Sequence, residues 1–185
     1  LEKSRRRVRE DLDRRPCEIV DRYTWGAGGA AALSPWPLLD IAAGVTISTK
    51  MVFDLARVYH QDLDSEAAVR LLGQLAKVLI GTAGATAAGP AVASLVGSLL
   101  KTVPGVGTIA GGLLQGVVQA LVTRWIGAVF IEYFRNHMQE PEGGLTGLAR
   151  RVWNEMTTTD QLVKLVRAAR SRASQPAIAV EDDDE

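Results

Sequence analysis

The chain has 185 residues, and its 21 basic and 21 acidic residues leave no net charge. That length fits one ordinary domain with tails. A single cysteine, Cys17, excludes an intrachain disulfide framework and any cysteine-built zinc cage.

The balanced charge hides an asymmetry. Lys3, Arg5, Arg6, Arg7 and Arg9 make the start basic, and Glu181 to Glu185 closes the chain with acid alone. A basic run beside an apolar region favours an anionic leaflet, by about 1 kcal/mol per basic residue near the surface. A solvated helix face explains the run equally well. Nucleic acid is not expected as a partner, because aromatic content is only 5% and no recognition motif accompanies the basic residues. The first residue is Leu rather than Met, so we expect a fragment of a longer protein.

Residues 1–22 read as a charged linker helix that Pro16 interrupts or restarts, with Leu12, Ile19 and Val20 as a thin apolar stripe. From Tyr23 to Ile47 the only charge is Asp40. Gly26 to Leu33 is a Gly/Ala helix or turn, broken by Ser34-Pro35-Trp36-Pro37. Ser before Pro is a good helix start, so a second helix is expected from about Pro37 to Tyr59, ending near His60. Asp40 near its start opposes the helix dipole. Asp62 to Glu66 is a solvated turn with Asp64 or Ser65 as cap, followed by a helix from about Glu66 through Ile80.

Gly84 to Gly89 loosens this helix, and Pro90 kinks it or starts a new one that runs from Ala91 to Leu100. Thr102 to Gly107 is a turn, and helix extends again from about Thr108 to His137. Gln139 to Gly144 marks a clear end. Two short helices follow: one from about Leu145 to Met156, and one after Thr157-Thr158-Thr159 with Leu162, Leu165, Val166 and Ala169 at helical spacing. We group the chain as a linker helix at 1–22, a helical domain at 23–138, C-terminal helices at 139–173 and a disordered acidic tail at 174–185. No segment alternates like a strand, so the class is all-α.

Small residues recur every fourth position in two rows: Gly81, Ala85, Gly89, Ala93 and Gly97, then Gly112, Gly116 and Ala120. Such a face lets a neighbouring backbone come close, whether in a membrane or in a tight soluble bundle. Val78 to Leu100 and Thr102 to Thr123 are 23 and 22 residues without a charge, and a spanning helix needs about 20. Lys77, Lys101 and Arg124 would stand at the ends, with Trp125, Tyr133 and Phe134 as an interfacial belt. Against this, the first stretch is rich in Gly, Ala and Thr and holds Pro90, so it has few side chains that favour insertion.

No catalytic constellation emerges. His60 and His137 lie in no metal-ligand spacing and read as helix-end residues, His137 as a dipole partner. Cys17 has no histidine near it in sequence. Asp62, Asp64 and Glu66 lack the Gly and terminal Glu of a calcium loop. Gly105-Val106-Gly107 is not followed by the Gly-Lys-Ser/Thr of a phosphate loop. Trp25, Trp36, Trp125 and Trp153 are scattered and read as core or interface anchors. We expect no catalytic, cofactor-binding or metal-binding residues, and hence no enzyme.

Leu33 to Gly44 can be laid over Lys101 to Gly112, both passing from Ser or Thr through Pro to an Ile-Ala-small-Gly helix start, which suggests a duplicated hairpin. The stretch Ala31-Ala32-Leu33-Ser34-Pro35-Trp36-Pro37-Leu38-Leu39-Asp40 and the later Val103-Pro104-Gly105-Val106-Gly107-Thr108-Ile109-Ala110-Gly111 resemble the YcjF-like family, also called DUF 697. In that family a Ser-Pro-x-Pro-x-x-Asp segment precedes one helix and a Pro-Gly-x-Gly-Thr turn precedes another. The likeness covers roughly Val20 to Asn136.

The resemblance implies a membrane-associated helical module, found in bacterial inner-membrane proteins or behind small GTPase domains, and brings no catalytic residues with it. The first expectation is therefore a non-enzymatic domain at the bacterial inner membrane, with cytoplasmic portions. It would bind the lipid bilayer and anchor or couple a GTPase domain in the same or another chain. Self-association is a further expectation. Two alternatives stay open: a soluble helical interaction module, and a pore-forming or membrane-remodelling protein.

Overall fold

The computed structural model describes residues 14–26, 37–85, 94, 109–139 and 141–173. Six helices account for most of them, and none of the described residues lies in a strand. The helices are α1 (14–26), α2 (Pro37–Val58), α3 (Ser65–Ala85), α4 (Ile109–Arg135), α5 (Gly144–Met156) and α6 (Thr159–Ala173). The all-α class expected from sequence is therefore observed.

Several expectations fall outside the described residues: the basic run, the Ser34-Pro35-Trp36 break, the Pro90 kink, the helix over 91–100 apart from Ser94, Lys101, the 102–107 turn and the acidic tail. Most of the duplicated-hairpin overlay lies there too.

Local chemistry explains the helix ends. Pro37 opens α2, where its missing N–H costs nothing. Asp64 caps α3, its carboxylate accepting the Ala67 N–H at 2.6 Å. This helix runs to Ala85, beyond the Ile80 expected from sequence. Thr157 closes α5, its N–H and hydroxyl both donating to the Trp153 carbonyl at 2.9 Å.

Helix α4 is the axis of the bundle, packing against α2, α5 and α6, while α3 packs against α2 and α5. Trp125, Phe130 and Phe134 of α4 are fully buried with Met51 and Leu55 of α2, Leu75 of α3 and Leu148 of α5. Trp125 meets Trp153 edge-on at 5.6 Å, and its Nε1–H donates to the Ala149 carbonyl at 2.9 Å. This corrects the expected interfacial belt. Trp125 and Phe134 are core residues, and Arg124, expected at the end of a span, lies in mid-helix. An apolar body with one polar tip suits a membrane interface and a core equally, provided the core offers the tip a partner.

The small-residue rows also differ from expectation. Ala120 is buried, but Gly81 faces open space, and Gly89, Ala93 and Gly97 lie outside the described residues. The glycine that does admit a close neighbour is Gly127 on α4. A β-carbon there would come within 2.8 Å of Val20 Cγ1 on α1 and closer still to Cγ2.

Gly127→Ala should therefore cost about 1–3 kcal/mol in chemical denaturation, because β-branched Val20 cannot rotate out of the way. Val20→Ala combined with Gly127→Ala should recover most of that loss. Gly73→Ala, in open space on α3, should instead gain about 0.5–1 kcal/mol. Equal effects at Gly127 and Gly73 would refute the notch.

Candidate functional site

The densest polar cluster among the described residues lies where α1 crosses the bundle. Helix α1 is not the free charged rod its composition suggests. Pro16, Val20 and Thr24 face inward, and Arg14, Arg15, Cys17, Glu18 and Arg22 face out. Arg124 of α4 donates to Asp21 at 2.6 Å, and both side chains are partly exposed. The Arg124 guanidinium also lies 5.8 Å from the centre of the Trp25 ring, with Arg172 of α6 at 4.6 Å from the same ring. One indole thus serves two cations from two helices.

A second node joins α1 to α2. The Tyr23 hydroxyl donates to Asp54 at 2.7 Å, and Arg22 and Arg57 approach the same carboxylate at 3.5 and 3.6 Å. Burial and the Asp54 carboxylate together push the Tyr23 phenol up to about 12, burial first. Beneath these nodes the Thr24 and Thr123 hydroxyls are buried without a hydrogen-bond partner, so the seam carries a desolvation cost as well as its ion pairs.

This arrangement holds α1 in position against α2 and α4. Among the described residues no group of three His, Cys, Asp or Glu side chains could hold a metal ion. His60 and His137 lie at the ends of α2 and α4, both exposed, with φ of 51° and 54°. Each closes its helix in the same way. Gln61 N–H reaches the Ala56 carbonyl and His60 N–H the Arg57 carbonyl, while Met138 and His137 repeat the pattern on Tyr133 and Phe134. This is the Schellman closure that glycine usually provides. Asp62, Asp64 and Glu66 are all exposed, and Asp64 is the α3 cap. Cys17 is exposed.

The seam was missed in the sequence because its partners are far apart: Asp21 and Arg124 are separated by 103 positions, Tyr23 and Asp54 by 31. The available hint was Arg124 itself, a lone cation inside a long apolar stretch that needs a counter-ion.

Two measurements follow. Because the folded state holds the Tyr23 proton more tightly than the unfolded state, its stabilisation is complete below about pH 10, the unfolded value, and is lost as pH rises towards 12. Ultraviolet titration should show a late-ionising component that Tyr23→Phe diminishes and Asp54→Asn brings earlier. His60→Gly and His137→Gly should each raise the denaturation midpoint, by up to about 1 kcal/mol, since glycine adopts positive φ freely. Loss of stability on either change would contradict a capping role.

A family model described as a domain of unknown function (DUF697) matches residues 1–158. Magnetosome membrane protein 22 of Magnetospirillum gryphiswaldense is 34% identical over 110 residues, covering 60% of this chain and 53% of that protein. The matched region is thus about half the length of that relative. No solved structure is significantly similar. With most of its length matched, from α1 to the end of α5, the chain belongs to the DUF697 family.

Proposed function

We propose that the chain is a membrane-associated, non-enzymatic helical module that anchors or couples a GTPase domain. The observation that carries the membrane part is the 34% identity to a protein named as a magnetosome membrane protein. One described stretch, Gly116–Arg135 of α4, adds support, since it is long and apolar enough to cross a bilayer by length and composition. A bacterial inner membrane is the proposed location, with the charged helices on the cytoplasmic side. The seam under α1 supports coupling, because a helix held to the bundle by two polar nodes transmits force from whatever precedes it. Self-association within the bilayer is compatible with this reading.

A second reading, a soluble interaction module, is favoured by one observation. More than half of the Gly116–Arg135 stretch, 56%, is already buried by the rest of the chain. The core helix of a soluble bundle has that property.

Carbonate extraction of expressing cells separates the two. The membrane reading expects the chain in the pellet and dependent on detergent once purified. A monodisperse protein in plain buffer that does not float with liposomes would refute it. The GTPase part is tested separately: a nucleotide-dependent change in proteolysis of α1 when the upstream or co-encoded GTPase is present. No change between GDP and a GTP analogue would remove that part alone.

A further inference from the structure

Helix α6 is the helix whose charge is lopsided. It carries Lys164, Arg167, Arg170 and Arg172 against Asp160, an excess of three, while no other described helix has an excess above one. Its apolar side, Leu162, Leu165, Val166 and Ala169, is buried within the bundle, where the helix packs against α4. On the opposite side Lys164, Arg167 and Ser171 follow at i, i+3 and i+7, and all three are exposed. Arg170 and Arg172, about 200° apart around the axis, stand on the two flanks of that side.

A cation near a helix C-terminus ordinarily opposes the dipole, and Arg170 and Arg172 in the last turn do so. That role does not extend to Lys164 and Arg167, which lie more than a turn from either end. Neither of these two takes part in an ion pair among the described residues. The basic side continues onto α1. Arg172 lies 4.6 Å from the centre of the Trp25 ring and Arg124 5.8 Å from it, and Arg22, one turn before Trp25, is exposed. Trp25 itself is partly exposed at the edge of this surface.

We propose that α6 lies flat on an anionic bilayer surface, with its four cations against the headgroup phosphates and Trp25 at the interface beside them. This rests on the membrane-associated reading above and adds to it the face that meets lipid and the class of lipid met. Charge complementarity carries the choice of occupant. Because the apolar side of α6 is already buried, the helix cannot sink into the acyl boundary, and attraction between cations and anionic headgroups is the interaction left to it. Lys164 and Arg172 are eight residues apart, about 12 Å along the axis, so a helix lying parallel to the surface keeps all four cations within reach of the headgroups. Nucleic acid is the competing polyanion. An indole already engaged by two guanidiniums is not open for base stacking, whereas an indole beside cations is the arrangement found at membrane interfaces.

The test uses the full chain in cosedimentation with phosphatidylcholine vesicles that contain or lack phosphatidylglycerol. Binding should require phosphatidylglycerol and weaken by about tenfold or more when salt is raised from about 0.05 to 0.5 M. Lys164→Gln combined with Arg167→Gln should weaken partitioning by about tenfold or more. Arg70→Gln combined with Lys77→Gln removes the same charge from exposed positions on α3, which packs against α2 and α5, and should leave partitioning within about twofold. In a Cys17→Ser background, a fluorophore on Ser171→Cys should become shielded from acrylamide on binding, and one on Gln74→Cys should not. Equal weakening by the α3 pair would overturn the proposal in favour of overall charge without a specific face. Equal binding to neutral vesicles would overturn it in favour of hydrocarbon insertion and leave the membrane reading standing. Displacement from vesicles by a DNA duplex at equal phosphate concentration would assign the face to nucleic acid. Binding only after removal of residues 181–185 would assign it to the chain's own acidic end. Failure to bind either kind of vesicle, with or without that removal, would instead defeat the membrane reading itself.

Discussion

The seating of α1 on α4 is the contact that sets the position of the first helix on the bundle. Gly127 removes the β-carbon that would hold the helices apart, and Val20 fills the space. The approach brings Asp21 to Arg124, so the one cation in the apolar first two-thirds of α4 has its counter-ion from another helix. The pair is partly exposed, so its own contribution to stability is about 1 kcal/mol or less. Its effect is to fix the register of α1 and to bring Trp25 and the α6 arginine to one level.

What could be read from sequence was local. Pro37, Asp64 and the threonines before α6 act within one turn of their own helix, so helix boundaries followed from residue types. Leu162, Leu165, Val166 and Ala169 repeat at helical spacing and are all buried. What could not be read depended on a partner far along the chain. Gly127 and Gly81 are the same residue in similar apolar surroundings, yet one meets Val20 and the other meets nothing. No neighbouring residue distinguishes them. The aromatic cluster failed for a related reason: Trp125 needed the Ala149 carbonyl before its burial could be recognised, and α5 supplies it from 24 positions further along the chain.

The histidines make the complementary point. As rare titratable residues they invite a chemical role, but their positive φ and the paired carbonyl bonds around them account for their positions as helix ends. Two polar nodes, at Asp21 and Asp54, join α1 to the bundle. The polar residues of these nodes thus hold helices together.

The size of the buried side chains along α4 supports one further step. Among the described residues, the helix from Trp125 onward buries Trp125, Ile126, Val129, Phe130 and Phe134, while before it the buried residues are Val117, Ala120, Leu121 and Thr123. In water, large apolar side chains supply the driving force for packing, at roughly 25 cal/mol per Å² removed from solvent. In lipid that force vanishes, and close contact between small residues takes over. The described part of α4 from Trp125 onward is thus the part of the core that removal of large apolar side chains from water holds together.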